Sequence, residues 1–267
     1  RIKESGVSRV AVVGKFSQRN PAHEEKVSQI MSQILPGSKI ELGHRVSGHL
    51  NFPRRAATTK LTLATKESYA RFALAISRAL EERRITAPVY ILKADGGTLP
   101  LEGSLEMPVE TIFSGPAASI MGVMALTPPG QTSVVVDIGG TTTDLALILS
   151  GRPLLSSKGA RVDSMLTHVR AFAVKSAAIG GDSAVNVAGD CLQVGPERRG
   201  PPLCMGGTGP TTTDALRVLG KLSVGDLEKA REAMAGVAGK LNCSIEKAAE
   251  MVVDSVVEKI ASEINEM

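Results

Sequence analysis

At 267 residues with 43% apolar side chains, the chain is long enough for one large or two modest packed domains. Its formal charge of +4, from 31 basic and 27 acidic residues, is mild, and no basic run is interleaved with aromatics, so neither a polynucleotide groove nor a nucleic-acid partner is expected. No apolar run approaches a membrane span, no signal-peptide pattern opens the chain, and three cysteines without metal spacing suit a reducing, cytoplasmic compartment.

In chain order, residues 10–13 read as a buried strand. Asn20-Pro21 then supplies a cap and a first-turn proline for a helix whose face is Val27, Ile30, Met31 and Ile34, with Pro36-Gly37 as the stop. Residues 39–42 are a short strand candidate. Residues 43–64 are threonine-rich and loop-like, and Thr65 is the expected cap of a long helix with Tyr69, Phe72, Ala73, Ile76 and Leu80 as its buried stripe. Another apolar strand at 89–92 runs into Ala94-Asp95-Gly96-Gly97. A loop with a strand fills 98–113, Ser114-Gly115-Pro116 opens a helix to Leu126, and Pro128-Pro129-Gly130 is the best domain hinge.

Beyond the hinge, residues 133–149 read S-V-V-V-D-I-G-G-T-T-T-D-L-A-L-I-L. The pattern predicts a β-hairpin with alternating Leu145, Leu147 and Leu149, its tip bearing glycines and threonines between two acids, Asp137 and Asp144. Glycines allow close backbone approach to an anion, and successive N–H groups form an anion-binding nest. Carboxylates repel phosphate directly, so their presence implies Mg²⁺ between them and the phosphate oxygens. The ligand so implied is a metal-bound nucleotide. A turn at Ser150-Gly151 leads to a third strand, and residues 173–179 run into Gly180-Gly181-Asp182-Ser183. A loop with Cys204, Gly206 and Gly207 precedes helices from Thr212, on Leu227, Ala230, Met234, Val237 and Leu241, and on Ile245, Ala248, Ala249, Val252, Val253, Val256, Ile260 and Ile264. The expected organisation is α/β, with domains at 1–127 and 131–267, a cleft between them, and the Gly-Gly turns gathered around it.

D-G-G at 95–97, S-G-P-A-A at 114–118, D-I-G-G-T-T-T-D at 137–144, G-G-D-S at 180–183, V-G-P at 194–196 and C-M-G-G-T-G-P-T-T-T-D-A at 204–215 together resemble the hydantoinase A/oxoprolinase family. F-S-Q-R-N-P-A-H-E at 16–24 and the 54–59 stretch are also similar to it. The resemblance implies the actin-like ATPase fold, two RNase H-like lobes enclosing Mg-ATP. It also implies ATP-driven opening of small cyclic amides such as hydantoin or 5-oxoproline, or carboxylation of small ketones. On it, Asp137 and Asp144 are the metal-holding and catalytic pair, and Gly139, Gly140, Thr141 and Thr142 cradle phosphate. Gly180, Gly181 and Asp182 lie nearer the nucleoside, Gly206 and Gly207 close the far wall, and Asp95, Gly96 and Gly97 approach from the first lobe. Relatives carry a second D-x-G-G-T hairpin near their N-terminus, and nothing before residue 95 reads that way. The first lobe is therefore expected to be incomplete: either the chain, which opens on Arg1, is a piece of a longer protein, or that lobe is supplied otherwise. The alternatives are an ATP-binding subunit of a multi-chain carboxylase acting with a companion polypeptide, and a nucleotide-responsive binding module without turnover; self-association is also open.

Cys204 is expected to be a small buried thiol rather than a nucleophile, since no histidine lies near it in sequence. His23 reads as a surface or capping residue, and His44, His49 and His168 show no ligand spacing. Asp214, after three threonines, is a candidate helix N-cap.

Overall fold

The computed structural model describes residue 2 and residues 4–267. The chain forms two compact units, one of Arg1–Thr127 with Pro153–Ala173, the other of Pro128–Arg152 with Val174–Met267. The excursion at 153–173, which sequence reasoning placed after the hinge, packs with the first unit.

In the first unit, β1 (Arg9–Val12) and β2 (Lys39–Leu42) pair in parallel across α1 (Ala22–Ile34), as parallel strands need a crossover between them. Asn20 Oδ1 accepts from Ala22 N at 3.1 Å, close to the expected cap. The expected apolar face is only partly used. Met31 is buried, but Val27, Ile30 and Ile34 are 42, 43 and 44% exposed.

Residues 43–64 are not a loop. A short α2 (Gly43–Val46) is followed by α3 (Phe52–Glu82), with Asn51 Oδ1 accepting from Arg54 N at 3.3 Å and Pro53 in the first turn. Threonine disfavours helices because its hydroxyl competes for backbone partners. Here the hydroxyls of Thr58, Thr59 and Thr62 donate to the carbonyls of Arg54, Arg55 and Thr58, four residues back, and all three side chains are buried. Thr65 does the same to Leu61 O at 2.9 Å, so it lies within the helix and does not cap it. The buried face of α3 is this threonine-rich half. Of the expected stripe, Ala73 alone is fully buried, and Phe72 is 52% exposed.

A buried carboxylate knits the strand ends together. Glu24 Oε1 accepts from Gly14 N at 2.6 Å, and Oε2 accepts from His44 N at 2.9 Å and pairs with His44 Nδ1 at 2.7 Å. Burial pushes the Glu24 carboxyl up, but hydrogen bonds from Ser17, Gly14 and His44 outweigh it and hold the group below its ordinary 4.5. A depressed carboxyl stabilises the fold above its unfolded pKa and loses that contribution as pH falls through the folded value. Glu24→Gln is thus expected to cost about 2 kcal/mol at neutral pH. The gap from the parent in thermal melts should narrow as the solution is acidified below pH 4.5.

His23 is exposed, and Ser47 Oγ pairs with His168 Nδ1 at 2.7 Å, a structural tie. Next come β3 (Tyr90–Leu92), antiparallel to β4 (Thr98–Pro100), then α4 (Leu101–Ser104), a 3₁₀ turn at Pro108–Thr111, and α5 (Ser114–Leu126).

The second unit begins with β5 (Ser133–Ile138) and β6 (Thr143–Leu149), and β7 (Arg152–Pro153) pairs with β6 as a two-residue third strand. β8 (Arg161–Val162) and β9 (Met165–Leu166) belong to the first unit's excursion. β10 (Val174–Ala177) then joins the other side of β6, giving the order β10-β6-β5. As the central strand, β6 buries Thr143, Leu145, Ala146 and Ile148, which replaces the expected alternation. β11 (Ser183–Ala188) and β12 (Cys191–Arg198) form a separate antiparallel ribbon.

Three helices close the unit: α6 (Thr212–Val218), α7 (Leu227–Leu241) and α8 (Ile245–Asn265). Asp226 and Ser244 cap α7 and α8, their side chains accepting from backbone N–H groups of the first turn. Ala230, Met234 and Val237 of α7 meet Ala248, Ala249, Val252, Val256 and Ile260 of α8 over Leu145, Val185 and Val194. Small alanines on the facing stripes let the helices approach closely, so the expected periodicity here became core. Among the described residues, no helix is long and apolar enough to cross a membrane.

Candidate functional site

The β5–β6 hairpin sets Asp137 directly opposite Asp144, and opposed residues in an antiparallel pair share a face of the sheet. Both are half-buried. Like charges so placed are destabilising unless a cation compensates them. The turn closes through Gly139 N donating to Thr142 O at 2.9 Å. Among the described residues, the N–H groups of Gly140 and Thr141 donate to no backbone acceptor, so the tip offers adjacent donors beside two acids. Thr143, fully buried, anchors the tip by donating from Oγ1 to Ile179 O at 2.8 Å.

Residues 180–182 lie against this tip. Gly181 N donates to Gly139 O at 3.0 Å, and Asp182 N donates to Gly140 O at 2.7 Å. The approach needs glycine at 180, where a Cβ would stand 2.5 Å from Gly139 O and 2.7 Å from Gly140 O. Thr213, at the start of α6, binds the far side of the segment through N and Oγ1 to Gly181 O, at 3.0 and 2.9 Å. The hairpin tip, the 180–182 segment and the start of α6 thus form one hydrogen-bonded stack.

Two further groups of expected residues form turns of their own. Gly206 and Gly207 shape the turn around the 3₁₀ segment Leu203–Met205, with Gly207 N donating to Pro202 O at 2.9 Å. A Cβ on Gly207 would fall 1.7 Å from Pro201 O. Asp95 is in the first unit, where Oδ1 accepts from Gly97 N at 3.1 Å and Lys93 Nζ lies 3.6 Å away. Gly96, at φ +81, packs under Phe172. These contacts make Asp95, Gly96 and Gly97 a tight turn.

Asp214 is a structural hub. It is the third residue of α6, not the N-cap, a place taken by Thr211 in a capping box. Fully buried, it accepts from Leu203 N, Cys204 N, Thr211 N and Thr211 Oγ1, at 3.1, 2.8, 2.9 and 2.9 Å. Cys204 is buried beside it, and burial together with the Asp214 carboxylate pushes its thiol up to about 11. At pH 8 roughly a thousandth of such a thiol is ionised. Alkylation of the native protein by iodoacetamide should therefore mark exposed Cys191 and spare Cys204 until the chain is unfolded, as peptide mass spectrometry would show.

The sequence reads Arg198 as a solvated or anion-facing loop residue, and the structure places it at the end of β12. Its Nε and Nη2 both donate to Asp182 Oδ2, at 3.2 and 3.0 Å. The partners are sixteen residues apart, and only the β11–β12 ribbon brings them together.

A family model described as Hydantoinase/oxoprolinase matches residues 55–267. The chain belongs to that family. The 16–24 string lies outside the match. The caprolactamase subunit alpha of Pseudomonas jessenii is 31% identical over 233 residues, covering 84% of this chain and 33% of its own length. The crystal structure of ATP-dependent caprolactamase from that organism superposes with a TM-score of 0.75 at 29% identity, over 99% of this chain and 41% of that one. The acetophenone carboxylase gamma subunit of Aromatoleum aromaticum is 27% identical over 237 residues, 83% of this chain and 32% of its own. A nucleotide-free structure of acetone carboxylase shares the fold, with a TM-score of 0.80 at 21% identity, over 99% of this chain and 40% of that one. The α/β fold of this hydantoinase/oxoprolinase chain is thus that of ATPases of the actin-like class, and the chain spans about a third to two fifths of the proteins it matches.

Proposed function

We propose that this chain carries the Mg-ATP-binding part of an enzyme that opens small cyclic amides. The observation that carries the reading is the pair Asp137 and Asp144, opposed across a tip with adjacent backbone donors. Among the described residues no cluster of three or more metal-ligating side chains occurs. That donor set fits Mg²⁺, which commonly takes one or two carboxylates and keeps the rest of its shell as water and phosphate oxygens. Bound there, the ion would neutralise phosphate charge.

The chain's own groups do the positioning. Asp137 and Asp144 would hold the hydrated ion, and the Gly140 and Thr141 amides would donate to phosphate oxygens. Gly139 and Thr142 keep the turn closed, and Thr143 and the 180–182 segment hold the tip rigid. Preorganised donors of this kind are the main resource of phosphoryl-transfer sites. Likeness to a caprolactamase subunit supports the cyclic-amide class. It also supports a companion subunit, and the free cysteines suit a cytoplasmic setting.

The test is ATP turnover with caprolactam, hydantoin or 5-oxoproline, for the chain alone and within any longer protein or complex that contains it. Lactam-stimulated release of phosphate with ring opening is the expected result. Likeness to the acetophenone carboxylase gamma subunit favours a second reading, a carboxylase subunit. Turnover stimulated by a ketone with bicarbonate, and not by lactams, would establish that reading in place of the first.

A further inference from the structure

We infer that Arg198 is a phosphate-contacting residue of this site and that Asp182 holds it in reserve while the site is empty. The assignment rests on the nucleotide reading of the hairpin and adds to it a cation and a competitor.

The ion pair sits over the tip. Asp182 Oδ2, which accepts both Arg198 bonds, lies 3.0 Å from where a Cβ on Gly140 would be. The carboxylate therefore lies against Gly140, one of the two residues whose amides the tip offers to an anion. Its side chain is 16% exposed, and that of Arg198 is 52% exposed. The neighbouring Arg199 is engaged elsewhere, with Nη2 donating to Asn186 Oδ1 at 2.9 Å.

Charge and geometry then set the direction of exchange. Asp137, Asp144 and Asp182 bring three carboxylates to the tip and its adjoining segment, a poor reception for a polyphosphate. Arg198 is the guanidinium paired there, and both of its bonds fall on one oxygen of Asp182, leaving three of its five N–H donors for another acceptor. An ion pair open to solvent on its Arg198 side is readily exchanged. A phosphate offers several oxygens in the planar, two-pronged geometry that guanidinium prefers. Rotation of Arg198 from Asp182 onto an arriving phosphate exchanges a single-oxygen contact for a forked one, with little backbone change. Asp182 then acts against binding, opposite in sign to a residue that contacts nucleoside or metal.

Calorimetric titration of Mg-ATP, Mg-pyrophosphate and adenosine into the full chain decides the matter, with Arg198→Ala, Arg198→Lys and Asp182→Asn compared with the parent. Arg198→Ala should weaken Mg-ATP and Mg-pyrophosphate about tenfold or more while leaving adenosine unchanged, with Arg198→Lys in between. Asp182→Asn should tighten both phosphate ligands by about three- to tenfold. Arg198 is half exposed, so its replacements are expected to melt as the parent does. Parental affinity in Arg198→Ala, or weakened binding in Asp182→Asn, would overturn the assignment and leave the nucleotide reading standing. No Mg-ATP binding by the parent would overturn both.

Discussion

Asp137→Asn is expected to weaken Mg-ATP binding about a hundredfold, close to 2.7 kcal/mol. The substitution keeps the shape of the side chain and removes the charge that would hold the metal. The ligand-free protein should melt close to the parent, because the substitution keeps the side chain's shape and an acceptor oxygen and removes one of two opposed like charges. Calorimetry gives the affinity and a thermal scan gives the stability. The two readouts separate a binding role from a structural one. A variant that binds as the parent does would remove the hairpin from the nucleotide site, whereas a large fall in melting temperature without ligand would mark Asp137 as structural. Asp144→Asn should follow the same pattern.

Asp214→Ala is expected to give the largest loss of stability, about 3–5 kcal/mol, because four donors lose a buried acceptor at once. At roughly 2–4 °C per kcal/mol, the melting temperature of a chain this size should fall by about 10 °C. Asp226→Ala is a useful comparison. Asp226 caps α7 at the surface, accepting from Glu228 N and Lys229 N, and its loss should cost about 1 kcal/mol. Asp214 also sets the start of α6, from which Thr213 holds Gly181 in place. Nucleotide binding by Asp214→Ala should therefore fall together with its stability. Equal, small effects in the two variants would show that the Asp214 cluster is not the hub its hydrogen bonds describe.

The parts of this protein that the sequence by itself determined are those whose physics is local. An apolar run ending on Asp137, a Gly-Gly turn and a second acid specify a hairpin because strand period, turn chemistry and loop length are all written within seventeen residues. The stripes of α7 and α8 are equally local, and their alanines and valines became the core of the second unit. The burial of Cys204 also agrees with its reading as a small buried thiol.

Tertiary structure decided the rest. Threonine content argued against a helix at 52–64, yet the helix forms there because burial leaves the hydroxyls no better acceptors than carbonyls four residues back. The α1 face looked like core but stays largely exposed, since amphipathic spacing says which residues share a face and not what covers them. Asp214 read as a cap, and its further bonds to Leu203 and Cys204 depend on a loop folding back by ten residues or more. The return of 153–173 to the first unit, and the meeting of Asp182 with Arg198 over Gly140, leave no periodic trace in the chain. Such contacts follow from strand pairing and chain return between residues far apart in sequence, and no local pattern encodes a partner that only folding brings near.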